Sequence, residues 1–275
     1  MVKRAQRILL LAYRVALGSG VLRLPGMRAL YERSYDLYKR FVEAPYVVRL
    51  EPYVQAGTIV VDVGANVGFF TRHFAAWTGR DGRVLAIEPE RRNFERLQTM
   101  IHARRLDGIV EPVHAAAVER AGEVTLAIDP YHPAGHTLSP AGAAGGVPTR
   151  AVTIDDLVRP HAPRRVSLIK IDVQGAELRV LRGAARTIET SKPALLVELD
   201  DAALRAQGAS VDAVVALLAS HGYQGQVVTA KGLSPIVPGH ELVTRSLEAA
   251  YCDALFTPAP GAGAPHPAAV RAPRA

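Results

Sequence analysis

Apolar positions cluster along the chain in two alternating rhythms from Thr58 onward. "TIVVDVG" is a short run of apolar residues around one acid, and "FFTRHFAAWTG" repeats apolar positions at helical spacing before Gly79. "GRVLAIEP" is a second short apolar run, followed by the helical "NFERLQTMIHARRL". "IVEPVHAAAV", "EVTLAID", "VSLIKIDVQG" and "PALLVELD" read as further strands, and "AELRVLRGAARTIETS" and "VDAVVALLASHGY" as helices. "QVVTA" and "DALFTP" predict a terminal antiparallel strand pair. Apolar strands alternating with amphipathic helices imply an α/β sandwich, a mostly parallel sheet covered on both faces. In such sheets ligands bind beyond the carboxyl ends of the strands, at the switch point.

Three segments fall outside this rhythm. Residues 1–50 read as helices broken at Pro25 and Pro45, and form an N-terminal arm to a domain spanning 51–257. "DPYHPAGHTLSPAGAAGGVPTR", residues 129–150, reads as a long Gly/Pro-rich loop. The tail 258–275 is rich in Pro, Ala and Gly and predicts disorder.

Charge changes the picture of the arm. The chain carries +7 overall, and residues 1–50 hold ten Lys/Arg against three Asp/Glu, so the rest balances to zero. A basic, apolar arm can pack as a helical cap or lie on an anionic membrane surface through residues 1–40. A signal peptide is the third reading, but Arg14 cuts its apolar stretch to "ILLLAY", short of the usual ~7–15 residues. No window reaches the ~18 apolar residues of a membrane span. A neutral body argues against nucleic acid as a partner. The single Cys252 excludes an internal disulfide framework and fits a cytoplasmic protein.

The chemistry concentrates at strand ends. Asp62-Val63-Gly64-Ala65-Asn66-Val67-Gly68 is a strand-to-helix turn stripped of side chains, open to close approach by a ligand. Glu88 follows Gly68 by twenty residues, at the end of the second strand, where an acid accepts hydrogen bonds from ribose hydroxyls. The spacing D-x-G-x-N-x-G departs from the dinucleotide pattern G-x-G-x-x-G, which weakens an NAD-dependent reading. A carboxylate at Asp62 would repel a pyrophosphate. It can orient the ammonium of S-adenosylmethionine, or tie the turn together through backbone N–H groups.

Three stretches, "VVDVGANVGFFT", "VLAIEPERRNFERL" and "LIKIDVQGAELRVLRGA", with "VTIDDL" before the third, make residues 57–200 resemble the FkbM-type methyltransferases. The resemblance implies a class I Rossmann-like methyltransferase fold and S-adenosylmethionine as cofactor. It also implies an O-methyltransferase acting on a sugar, glycan or other hydroxylated metabolite. Gly64, Asn66 and Gly68 would then lie against the methionine portion, Glu88 against the ribose, and Ala115 and Ala116 beside the adenine. The family usually reads "KIDVEGAE", whereas Gln174 stands here.

Asp172, at a central strand end, is the candidate to position the acceptor, take its proton or hold a divalent ion. Lys170, two residues earlier on the same face, is either an ion-pair member or a substrate contact. Glu177 fits a helix-capping role. His136 is the candidate general base, followed by His132 and His114. Nine His and one Cys form no HxxH or CxxC pair, so no metal ligand is assigned. Two other readings stand beside methyl transfer to a hydroxyl. "IDPY" (Ile128–Tyr131) resembles an amino-methylating motif, and a silent cofactor-fold module tethered to a biosynthetic complex also fits.

Overall fold

The computed structural model describes residues 46–260, apart from 130–135, 140, 141, 143, 230, 231 and 250. The arm before Tyr46, the tail after Pro260, His132 and the prolyl-tyrosine of "IDPY" lie outside the described residues.

The first half of the sheet is laid down by β1 (Ile59–Val63), β2 (Arg83–Ile87) and β3 (Val110–Val113), with α1 (Phe69–Thr78) and α2 (Arg91–Ala103) between them. After β4 (Ala116–Ala117), β5 (Gly122–Ala127), β6 (Thr137–Ser139), β7 (Val147–Val152) and α3 (Ile154–Val158), the chain returns through β8 (Val166–Ile171). Helices α4 (Glu177–Arg182) and α5 (Ala185–Ser191) lead to β9 (Ala194–Asp200). Then follow α6 (Asp201–Ala206), α7 (Val211–Ser220), β10 (Tyr223–Thr229), β11 (Gly232–Leu233), α8 (Gly239–Ala249) and β12 (Tyr251–Pro258).

The main sheet runs β11-β10-β12-β9-β8-β1-β2-β3. Strands β3, β2, β1, β8 and β9 are parallel, and β12 is antiparallel to both β9 and β10. This is the Rossmann-like sandwich expected from the pattern, with its terminal antiparallel pair. The apolar runs are continuous because both faces are covered: every residue of β1 and of β8 is buried. Ile59, Val61 and Val63 point to one core layer and Val60 to the other, with Leu168 beside it. Tyr46, Val47 and Leu50, around a 3-10 helix at Val47–Tyr53, join that second layer.

Three expectations need correction. The segment 129–150 is not all loop: β6 and β7 are two strands of a second, four-stranded sheet, β4-β7-β5-β6. Its buried positions Leu138, Thr149 and Ala151 are too few and too scattered among Gly and Pro to show as periodicity. "IVEPVHAAAV" likewise is two strands, because the chain leaves the main sheet after Val113 and joins the second at Ala116, which pairs with Ala151. The helix read over 176–191 breaks into α4 and α5 at Gly183. There a β-carbon would lie 2.1 Å from the Val118 carbonyl oxygen, and the Gly183 carbonyl accepts the Asp155 N–H.

Gly64 closes β1 against β8. Its φ is +74°, and a β-carbon there would sit 2.0 Å from the Asp172 carbonyl oxygen. Gly64→Ala is expected to lower the urea midpoint of unfolding, by overpacking of roughly 1–3 kcal/mol plus left-handed strain of about 1 kcal/mol.

Candidate functional site

A cleft opens over the carboxyl ends of β1, β2 and β8. Its floor is the turn Gly64–Val67, with Asn66 in the left-handed region at φ 51°. Asn66 can hold this conformation because a short amide side chain tolerates it. On one side stands Glu88, at the end of β2, almost wholly buried. Its Oε2 accepts the Asn66 N–H at 2.8 Å and its Oε1 the Glu90 N–H at 2.9 Å. Burial nevertheless pushes the Glu88 carboxyl up to about 7, against the pull of those two N–H groups.

Beyond Glu88 the cleft narrows to an apolar slot. Ile87, Ala115, Ala116 and Ala117 line it, and the second sheet closes it with Leu126 and Leu138. The alanines sit where the chain passes from one sheet to the other, so small side chains leave the slot open.

Asp172 stands on the opposite side of the cleft, with its side chain one-third exposed. Its N–H bonds to the Val63 carbonyl, which pins the strand end to β1. Lys170 lies behind it. Asp62 and Lys170 are register partners on β1 and β8. The Lys170 Nζ is 3.5 Å from Asp62 Oδ1 and 3.5 Å from Asp172 Oδ2, and it also reaches the Val63 and Gly64 carbonyls. The Phe70 ring covers it, with its centroid 5.1 Å from Nζ.

The turn after β8 is held by Glu177, whose Oε1 accepts the Val173 and Gly175 N–H groups. Its Oε2 is buried and unpartnered, and burial pushes the carboxyl up to about 7. Glu177 thus ties the turn before α4, and no side chain caps the helix's own N–H groups.

The expected site residues are not all brought together. Gly64, Asn66, Glu88, Ala115, Ala116, His136 and Asp172 line the cleft. Asp62 does not; it is fully buried below the floor, where Thr71 Oγ1 donates to its Oδ2 at 2.7 Å. Gly68 turns away as well, since a β-carbon there would meet Met100 and Leu97 of α2. Both therefore shape the turn from beneath. His136 reaches the cleft, but its Nδ1 accepts the Asp129 N–H at 3.2 Å. His114 Nε2 donates to the Pro89 carbonyl and stacks on Phe94, outside the cleft lining.

Sequence reading missed Asn93, Phe70, Leu126 and Leu138, which line the cleft from α2, α1 and the second sheet. It also missed Glu198, which accepts the Gln174 amide at 2.9 Å across 24 residues of sequence. Among the described residues, no group of three or more His, Cys, Asp or Glu has the arrangement of a metal site. No described helix is long and apolar enough to cross a membrane.

A model of the methyltransferase FkbM domain matches residues 62–224, more than half of the chain. The hexuronic acid methyltransferase AglP of Haloferax volcanii is 26% identical over 133 residues, covering 48% of this chain and 52% of that protein. The chain thus spans about half the length of this relative. The crystal structure of methyltransferase FkbM from Methylobacillus flagellatus KT shares 21% identity at a TM-score of 0.47, over 72% of this chain and 43% of that one. Aeropyrum pernix fibrillarin, crystallised with S-adenosyl-L-methionine, shares 15% identity at a TM-score of 0.43, over 74% of this chain and 67% of that one.

Breaking the buried pair should be costly. Lys170→Met leaves Asp62 uncompensated and is expected to lower unfolding stability by roughly 3–5 kcal/mol. Adding Asp62→Asn should recover part of that loss, read as a double-mutant cycle in urea.

Proposed function

Because the chain belongs to the FkbM-domain methyltransferase family, we propose that its cleft binds S-adenosyl-L-methionine and serves methyl transfer to a hydroxyl of a sugar-type acceptor. The observation that carries this reading is the pairing, across one cleft, of Glu88 beside an alanine-lined slot with Asp172 at the end of β8. The match to a hexuronic acid methyltransferase supports a sugar-type acceptor.

The residues fit the cofactor. Each Glu88 carboxylate oxygen accepts one backbone N–H and keeps a second lone pair for a ribose hydroxyl. The slot walled by Ile87, Ala115, Leu126 and Leu138 is apolar and suits a flat base. The Gly64–Asn66 floor would meet the amino-acid portion. Asp62 would act on that portion only through the turn it supports.

When bound, S-adenosylmethionine supplies an electrophilic methyl group on a sulfonium centre. The chain's part is to align an acceptor oxygen with that carbon and to receive a proton. Asp172 is placed for both, since its carboxylate is exposed to the cleft and anchored through its backbone to β1. One Asp172 oxygen accepts the acceptor O–H and takes the proton as the ether forms. Phe70 and the buried Lys170 keep water from the rear of the carboxylate.

Calorimetric titration with S-adenosylmethionine tests the cofactor, and radiolabelled methyl transfer to hydroxylated glycosides tests the reaction. Micromolar binding is expected, and a folded protein that does not bind would sink the reading. Binding without transfer to any glycoside would favour a silent module.

Glu88 gives the titration a pH signature. Its free carboxyl lies at about 7, and only the anion accepts two ribose hydroxyls without surrendering a lone pair to its own proton. Affinity is therefore present above that value and lost as pH falls through it. A drop of about tenfold between pH 8 and pH 6 is expected. Glu88→Gln should bind more weakly at pH 8 and abolish most of the pH dependence.

A further inference from the structure

A second cavity, of about 410 Å³, lies at the opposite edge of the sheet from the cleft. Thr58, Val166 and Ala194, at the amino ends of β1, β8 and β9, line it together with Gln224 and Thr257, register partners on β10 and β12. That volume takes a small organic ligand. Nothing in the methyl-transfer reading uses it.

Its charge is of one sign. Arg165 donates from Nη2 to the Ser191 carbonyl at 2.9 Å, and Lys192, the next residue, donates from Nζ to the His221 carbonyl at 3.1 Å. The first bond sets the guanidinium against the residue preceding Lys192, so the two cationic residues adjoin. Both line the cavity, and among the described residues neither has an ion pair and no Asp or Glu lines it with them. Each side chain spends one backbone carbonyl and keeps its other N–H donors.

The neutral lining can both donate and accept. The Thr58 and Ser167 hydroxyls lie 2.7 Å apart, with Ser167 buried. The half-buried Tyr53 hydroxyl and Gln224 amide have no hydrogen-bond partner among the described residues. Pro52, Ile236 and Pro258 add apolar surface on which a carbon skeleton can rest.

We propose that this cavity is a second binding site, for a phosphorylated sugar. Two cations without acids match the near-double charge of a phosphate monoester. The Arg165 fork suits two phosphate oxygens, and Lys192 adds a point charge. The Tyr53 hydroxyl and Gln224 amide then meet sugar hydroxyls. A neutral sugar leaves both cations idle, and a sugar acid brings one charge where two are matched. The cleft and the cavity lie at opposite ends of the same strands, so this site stands whether or not the cleft binds S-adenosylmethionine.

Calorimetry on the full chain at pH 8 tests it, since a phosphate monoester with its second pKa at about 6 is dianionic there. The probes are glucose 6-phosphate, glucose, glucuronate and inorganic phosphate. Glucose 6-phosphate should bind at least about tenfold more tightly than each of the others. Arg165→Ala and Lys192→Ala should each weaken it about tenfold or more, the scale of a lost charged hydrogen bond, and Arg165→Lys should lose less. Ile236→Glu alters a side chain that is 49% exposed and leaves both cations in place. It should weaken the phosphate ester about tenfold by like charge and leave glucose unchanged. Thermal melts confirm that each variant is folded.

No binding of glucose 6-phosphate by the natural chain would overturn the proposal. So would undiminished binding by a folded Arg165→Ala/Lys192→Ala double variant, which would put the ligand elsewhere. Glucose or glucuronate binding as tightly as the ester would remove the phosphate from the assignment, and inorganic phosphate doing so would remove the sugar; either result overturns it.

Discussion

The Lys170 ammonium is the constraint on which the rest of the site depends. It is a buried cation with Asp62 on one side and Asp172 on the other, each at 3.5 Å, under the face of Phe70. Lys170 and Asp62 are shut away from water, so each is tolerated because the other charge is present. The pair joins β1 to β8 below the cleft, and Thr71 joins it to α1 by donating to Asp62. Three elements that define the cleft floor are thereby fixed relative to one another, and Asp172 is left with one side tied to the interior and the other facing the cleft.

Close packing around this pair also accounts for the bare turn after β1. The bareness serves the fold first. Gly64 has no side chain because the Asp172 carbonyl occupies the place of its β-carbon, and Gly68 has none because Met100 and Leu97 occupy the place of its own. Close packing of the strand ends and of α2 then leaves Asn66 and its neighbours as a floor. A glycine in such a motif marks close approach. The sequence does not say whether the approaching atoms belong to a ligand or to the protein itself.

The same limit separates what was legible from what was not. The alternation of Ile59–Val63, Arg83–Ile87 and Val166–Ile171 with amphipathic helices is strong enough to read a mostly parallel sheet and the edge at which its strands end. Glu88 and Asp172 were legible because strand ends are fixed by local pattern. The second sheet was not, since β4 and β6 are two and three residues long and take their pairing from partners far along the chain. Asp62 was placed at the right strand end, but only three-dimensional register shows that its carboxylate turns to Lys170. Gln174 stood out as a departure from a family pattern, whereas its partner Glu198 lies on another strand with no local mark.

The distribution of charge over the cleft follows from these placements. Glu88, Asp172 and Glu198 lie at or near the carboxyl ends of β2, β8 and β9, and Lys170 is sunk beneath them. A parallel sheet gathers strand ends on one edge, so acids placed there crowd one another, and burial holds Glu88 and Glu198 above the usual carboxylate range. On the Glu88 side backbone N–H groups and small residues set the shape, and on the Asp172 side carboxylates and one amide set the chemistry. Lys170 lines the cleft as well, so the charge of Asp172 and the packing of the floor are tied to one buried ammonium.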